Sequence, residues 1–341
     1  MFLALVLALA FAAPASAEIR WRIAGHNMPG TEQQIIAEDF AETVRVLSNG
    51  ELIIEAFAAG VLFPVFDTFE NLSNGVVEMS TAYGGYWPGI DRRFLLIIRP
   101  GCPIHRWAEG AYLEERLEPL ITELYAEYGI HNLGHLMVAP MYEQLLSTVP
   151  INTLADLQGV RVRSSGFGAR FYDALGATTV SVSPPEIYTA LQTRNIDAAE
   201  YTYWDENMRM GFHEVVSYVL ADALHVGSND ASSFTINKAA WESLPEHLQN
   251  IVIVALDQAR YRSAMTWIHE ARARLRWEAL PHITIVEWSP EDQAAARAVG
   301  QRLYKEEAEQ TEWGKRVLDV YRNVLWELGY KEEARNLGYE E

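Results

Sequence analysis

One cysteine, Cys102, serves a chain of 341 residues. An internal disulfide is therefore excluded, and the fold must be held by its core. Basic residues are scarce as well. The 27 Lys and Arg against 46 Asp and Glu leave a formal net charge of −19, which speaks against nucleic acid and anionic lipid surfaces as partners. Long apolar runs are missing after residue 17, so nothing beyond that point suits a transmembrane helix and no direct membrane insertion is expected. No G-x-G-x-x-G, G-x-S-x-G or H-E-x-x-H pattern occurs, which removes the usual signatures of dinucleotide binding, serine hydrolysis and zinc peptidase chemistry. His131 and His135 fall on a predicted strand, where their spacing of more than ~13 Å cannot make one metal site.

What is present begins at the N-terminus. Residues 1–17 are almost entirely Ala, Leu, Val and Phe, close on Ala15-Ser16-Ala17 and give way at once to Glu18. This is an apolar core of signal-peptide length with an A-x-A cleavage site, although no Lys or Arg precedes it. The segment is expected to be a signal peptide, and the mature chain periplasmic. Any anionic ligand of so acidic a protein needs locally concentrated positive charge, which makes arginines in apolar surroundings worth finding.

The mature chain alternates strand and helix patterns. Ile19 to Ala24 has period two and predicts a strand. Thr31 is placed to cap a helix carrying Ile35, Ile36, Phe40, Val44 and Leu47 on one face, and Asn49-Gly50 ends it. Strand, helix and strand follow over 51–57, 66–72 and 76–81. The middle repeats this logic, with Pro184-Pro185 opening a helix. From Glu246 to about Ala279 there is little Gly or Pro, which predicts one long helix. The reading is an α/β protein with mostly parallel sheets. Its length suggests two lobes, and the long helix would brace both.

Four ordered blocks carry a family resemblance. Ile151 to Arg163 (INTLADLQGVRVR) resembles the P-I-x-x-x-x-D-L-x-G-φ-K-φ-R signature of the DctP-type substrate-binding proteins of TRAP (tripartite ATP-independent periplasmic) transporters. Glu186 to Thr193 resembles E-V-Y-x-A-L-Q-x-G, Asp197 to Glu200 resembles D-G-x-E, and Asn237 to Pro245 resembles N-K-x-x-W-x-x-L-P. The resemblance implies a two-lobed clamshell that delivers its ligand to small and large TRAP membrane subunits. By residue number, we expect lobe I over 18–141 plus about 230–290, and lobe II over 142–229 plus about 291–341.

The resemblance also implies that Arg163 grips a ligand carboxylate. The residue has a physical case of its own. A guanidinium fork matches a carboxylate bidentately, and Arg163 leads into Ser164-Ser165-Gly166-Phe167-Gly168, which opens a helix expected over Gly168 to Leu175 whose amides can favour an anion. Arg161, two residues earlier, reads as structural. Glu200-Tyr201 is closest to a family branch that binds 2-oxo or 2-hydroxy monocarboxylates with a cation, there with Trp in place of Tyr. In that branch the Glu carboxylate and a nearby backbone carbonyl hold Na⁺ or Ca²⁺, as hard cations prefer. A further acidic ligand of that branch falls here on Ser233, with Asp230 three residues earlier as its substitute. Glu200, Tyr201 and Asp230 are thus the candidate metal residues. Aromatic walls suit a small water-excluding cleft, so Tyr86, Trp87, Tyr201 and Trp204 join the candidate ligand site, together with His26 and Asn27 from the first strand-to-helix loop. Sugar acids and dicarboxylates are the alternative ligands. A periplasmic enzyme using Arg163 as clamp and Glu200 as base is a further reading, and a sensor subunit using the same cleft is another.

Overall fold

The computed structural model describes residues 18–138, 143–226 and 231–340. The expected signal peptide over 1–17 and the candidate metal ligand Asp230 lie outside the described residues.

Among the described residues, eleven strands form two sheets. In chain order they are β1 (Ile19–Ala24), β2 (Leu52–Phe57), β3 (Met79–Ala82), β4 (Ile130–Val138), β5 (Leu145–Ser147), β6 (Arg161–Arg163), β7 (Thr178–Val180), β8 (Ala198–Glu200), β9 (Tyr218–Leu220), β10 (Ala231–Asn237) and β11 (Thr284–Val286). The first sheet has the order β2-β1-β3-β10-β4 and the second β11-β9-β5-β8-β6-β7. Each sheet is parallel but for one reversed strand, β10 in the first and β5 in the second. β5 opens the second sheet, and β10 is the strand by which the chain rejoins the first. The sheets are thus mostly parallel, as expected, with the exceptions where the chain changes lobe.

Among the described residues, twelve α-helices cover the sheets: α1 (Glu32–Leu47), α2 (Thr68–Ser73), α3 (Trp107–Ala126), α4 (Gly166–Ala174), α5 (Ile187–Gln192), α6 (Trp204–Arg209), α7 (Lys238–Ser243), α8 (Glu246–Ala264), α9 (Thr266–Glu278), α10 (Pro290–Ala308), α11 (Glu312–Glu327) and α12 (Lys331–Asn336). Local chemistry explains their ends. The Thr31 side chain accepts the Gln34 N–H at the start of α1, satisfying one orphan donor of the first turn. Ile36, Phe40 and Val44 then lie buried on one face of α1, and Phe40 packs on Phe234 of β10 with ring centroids 4.3 Å apart. Each such buried side chain contributes about 1.5–3 kcal/mol of apolar transfer energy.

The predicted long helix is two helices. α8 ends and α9 begins on either side of Met265, which stands at φ −86°, ψ −9°. Two side chains near the break bond back to the backbone, Ser263 Oγ to Arg260 O at 2.8 Å and Thr266 Oγ1 to Ser263 O at 2.7 Å. Such back-bonding competes with the helical ladder and bends helices. The bracing role is divided accordingly. α8 packs on α1 and β4, while α9 packs on α6 beside the second sheet.

Residue number apportions the C-terminal third differently from the fold. β11 lies within 230–290, yet it pairs with β9 and so belongs to the second sheet. α11 lies beyond 291, yet it packs on α3, with the Trp313 indole donating to Leu120 O at 3.0 Å. The apolar faces of these elements decide where they settle, and sequence order does not.

Candidate functional site

Between the sheets lies a small polar cavity lined by His26, Asn27, Gln33, Tyr83, Tyr86, Glu143, Arg163, Ser165, Glu200, Tyr201 and Ser232. Only about 20 Å³ is open to the centre of a water-sized sphere, room for about one water.

Arg163 ends β6 and is 2 % exposed. Its Nε donates to Val182 O at 3.0 Å, and its Nη1 donates to Glu200 O at 2.7 Å and Glu200 Oε2 at 3.2 Å. The remaining nitrogen, Nη2, has no hydrogen-bond partner. A buried charged donor without a partner carries a large desolvation cost. The guanidinium also sits 5.7 Å from the centroid of the Tyr201 ring. Arg161, by contrast, is on the exposed side and grips Asp197 with Nε at 2.9 Å and Nη2 at 2.7 Å. The structural reading of Arg161 holds.

Glu200 ends β8 beside β6, which is why Arg163 reaches it. Its Oε1 accepts the Ser165 N–H at 3.2 Å, just before the first turn of α4. Behind it sits a second buried carboxylate, Glu143. His225 Nε2 lies 3.1 Å from Glu143 Oε2 and 3.8 Å from Glu200 Oε2, and its Nδ1 lies 3.0 Å from the Tyr172 hydroxyl. Burial, and then the Glu200 charge, push the Glu143 carboxyl well above the usual carboxylate range.

The opposite wall comes from the loop after β1. His26 Nδ1 is 2.9 Å from Thr81 O, which makes it the protonated nitrogen and leaves Nε2 to accept from Asn27 Nδ2 at 3.1 Å. Burial lowers the His26 pKa to about 4, so the ring is neutral. Asn27 Nδ2 and Ser232 Oγ both donate to Gln33 Oε1, at 2.8 and 3.1 Å. The phenol of Tyr86 is pushed up to about 12, chiefly by burial, against the pull of nearby Arg163. The two walls approach closely at one glycine. Gly166 has φ +54°, and a Cβ there would lie 2.4 Å from Gly85 O, so the contact requires glycine.

Six of the predicted ligand residues therefore line one cavity: Arg163, Glu200, Tyr201, Tyr86, His26 and Asn27. Trp87 and Trp204 do not. Trp87 is buried against Phe69, Phe94 and Tyr125, because the short helical turn over Gly84–Tyr86 points the next side chain into the core. Trp204 is buried against Trp277 of α9, whose indole donates to Trp204 O at 2.9 Å. Glu143 and His225 escaped the sequence reading. They stand far from Glu200 in the chain and belong to no motif. The one available signal was the Glu143-Gln144 pair leading into the apolar Leu145-Leu146.

Two α/β lobes around a closed polar cavity, with an unsatisfied guanidinium inside it, define a two-lobed solute-binding protein. The pattern of the bacterial extracellular solute-binding proteins, family 7 (DctP), matches residues 23–311, and the chain belongs to this family. It is a TRAP-type solute-binding protein. A monocarboxylate 2-oxoacid-binding periplasmic protein of Nostoc sp. is 23 % identical over 328 residues, covering 94 % of this chain and 88 % of the relative. A TRAP periplasmic solute-binding protein from Pseudoalteromonas atlantica, solved with bound sodium and pyruvate, is 25 % identical with a TM-score of 0.80, covering 95 % of this chain and all (100 %) of that one. Another from Colwellia psychrerythraea, solved with bound calcium and pyruvate, has a TM-score of 0.81 at 22 % identity, covering 94 % and 100 %. These relatives are binding proteins. Among the described residues no helix is long and apolar enough to cross a membrane.

The relatives' cations prompt a test of fit. Glu143, Glu200 and His225 present ligand atoms all within 4.8 Å of one another. Two carboxylates, one of them with its pKa raised by burial and then by the other's charge, are a donor set that a hard cation would relieve. The imidazole suits such ions less well, and its hydrogen bonds make it the group that orients Glu143. The residues present fit a Na⁺ or Ca²⁺ ion.

Proposed function

We propose that this chain captures a small 2-oxo or 2-hydroxy monocarboxylate in the periplasm and delivers it to TRAP membrane subunits. The observation that carries the reading is Arg163 Nη2, a buried charged donor with no partner, facing a cavity of very small size. A ligand carboxylate would satisfy it. A cation held by Glu143 and Glu200, with a backbone carbonyl at Tyr201, would neutralise the paired carboxylates and offer a second positive contact to the ligand's carboxylate and 2-oxygen. Asn27, Ser232 and neutral His26 would then close the polar wall, and Tyr86 and Tyr201 would exclude water. The small cavity favours a compact monocarboxylate over a sugar acid. The names of the Nostoc and Pseudoalteromonas relatives support the same ligand class.

The test is a thermal-shift and calorimetric screen of small organic acids on the mature chain, with and without Ca²⁺. The best acid should raise Tm by mass action, and Arg163→Ala should abolish that shift. Wild-type affinity in Arg163→Ala would overturn the site assignment.

A further inference from the structure

Tyr201 leaves β8 directly after Glu200, and its ring is held on two sides. It meets Phe212 edge-on with centroids 6.2 Å apart, and the Arg163 guanidinium lies 5.7 Å from its own centroid. Both contacts use the ring alone, and phenylalanine would make them as well. The hydroxyl is buried and has no hydrogen-bond partner. A buried polar atom left unpaired costs stability, so the hydroxyl does not serve packing. Burial pushes the phenol well above its ordinary value, which keeps the O–H available as a donor.

Most other polar atoms of the cavity wall already have partners. His26 and Asn27 bond to Thr81, to Gln33 and to each other, Ser232 bonds to Gln33, and Glu200 accepts the Ser165 N–H. Among the described residues that line the cavity, Arg163 Nη2 and the Tyr201 hydroxyl are the buried polar side-chain atoms without one. They make different demands. Nη2 carries charge and calls for a carboxylate oxygen. The phenol is neutral and suits a neutral oxygen. A cation at Glu143 and Glu200 would take the remaining carboxylate oxygen and the 2-oxygen, which leaves the phenol for an oxygen one carbon farther along. The position of the hydroxyl agrees. Among its titratable neighbours it interacts most strongly with Tyr86, and Tyr86 also borders the wider opening lined by Phe66, Pro88, Ser164 and Thr179. The part of a ligand beyond its carboxylate would lie on that side.

We propose that the Tyr201 hydroxyl donates to an oxygen on the third carbon of the ligand. The site then takes monocarboxylates oxygenated at both the second and third carbons, such as glycerate and hydroxypyruvate, in preference to lactate and pyruvate. This rests on the reading of Arg163 as the carboxylate clamp and narrows the ligand class within it. The preference comes from the unmade bond. A ligand without the third oxygen leaves the buried donor unpaired, and sites built to hydrogen-bond a substrate oxygen reject analogues that lack it. The small cavity argues against longer polyhydroxylated chains.

Calorimetry on the mature chain with Ca²⁺ should show racemic glycerate binding about 10-fold tighter than racemic lactate. Hydroxypyruvate should exceed pyruvate by a similar factor. Tyr201→Phe keeps the ring and removes only the oxygen, and it should bring each ratio close to one. Its ligand-free Tm should equal or exceed that of the wild type, because an unpaired buried hydroxyl has gone. Equal affinity for the two acids of a pair in the wild type overturns the inference and leaves the Arg163 site standing. An equal loss for both acids in Tyr201→Phe, with the ratio kept, places the hydroxyl on the carboxylate they share and also overturns it. A Tm lowered by Tyr201→Phe reveals a partner within the protein, with the same consequence. Binding of none of the four acids to the wild type removes the ligand class and this inference together.

Discussion

The carboxylate of Glu206, on α6, accepts a hydrogen bond from the backbone N–H of Gln33, in the first turn of α1, at 3.0 Å. The first residue belongs to the elements of the second sheet and the second to those of the first, so this bond ties the two lobes across the cleft. Glu206 is 1 % exposed, and its other oxygen accepts the Thr202 hydroxyl at 2.6 Å. Gln33 in turn holds Asn27 and Ser232 in the cavity wall. Closure and site geometry thus share one residue. Glu206→Ala is expected to weaken ligand binding about 10-fold, the effect of losing one charge-assisted hydrogen bond. It should also enlarge the radius of gyration of the ligand-free protein in solution scattering. Unchanged affinity and an unchanged radius would remove Glu206 from the closure mechanism.

A cation at the paired carboxylates has its own signature. Burial, and then the Glu200 charge, raise the Glu143 pKa well above the usual carboxylate range, so cation uptake competes with its proton. Calorimetry in buffers of different ionisation enthalpy should detect proton release on Ca²⁺ binding. The apparent Ca²⁺ affinity should rise with pH. Glu143→Gln keeps the shape but removes the charge, and is expected to lower Ca²⁺ affinity at least 10-fold. It should also leave the fold intact, because a neutral side chain suits the buried position. Ligand affinity unaffected by chelation in sodium-free buffer would exclude the cation.

Much of this was legible in the sequence for a definite reason. Arg163, Glu200 and Tyr201 lie within contiguous blocks, and Arg163 and Glu200 end adjacent parallel strands. Their meeting therefore follows once the strands are recognised and paired. The helix after β6 is also expected from the sequence, although α4 begins at Gly166, two residues before the expected start at Gly168. The rest depended on distances that no local pattern encodes. Glu143 stands where the chain enters the second sheet, just before β5, and His225 where it leaves, between β9 and β10. The break at Met265 also escaped notice, because apolar periodicity continues unbroken through it. Only the Ser263 and Thr266 hydroxyls marked it. Trp87 and Trp204 were placed in the cleft on the strength of neighbouring aromatics, but a one-residue step along a turn reverses the direction of a side chain.

Those two tryptophans yield a prediction that separates core from cleft. Trp87 and Trp204 are 3 % and 2 % exposed, and neither lines the cavity. Trp87→Ala should cost about 3–5 kcal/mol of stability, the usual range for a large buried aromatic, as measured by denaturant unfolding. Ligand affinity of the folded fraction should change less than threefold. Trp87→Phe should recover most of the stability. A large loss of affinity at unchanged stability would instead return Trp87 to the ligand site.

The pH dependence of stability should turn on Glu270. This residue of α9 accepts the Asp205 N–H at 3.0 Å, inside the α6–α9 contact, and burial raises its pKa to about 8. A carboxyl with a raised folded pKa keeps a proton that the unfolded chain has released. Its contribution is therefore fully present at low pH and is lost as pH rises from the unfolded value toward 8. His26 works in the opposite sense, because its folded pKa of about 4 lies below the ordinary histidine value of 6.5. It adds stability as pH rises from 4 to 6.5 and nothing further above that. Between pH 6.5 and 8 the two no longer compete. There the ligand-free protein should lose stability at roughly 1 kcal/mol per pH unit, with Glu143 and Glu206 displaced in the same direction. Glu270→Gln cannot ionise and should flatten much of that slope while leaving the closed site in place. Denaturant unfolding of both proteins at pH 6.5, 7.2 and 8 decides the matter, and equal slopes would show that Glu270 is ionised in the folded state throughout.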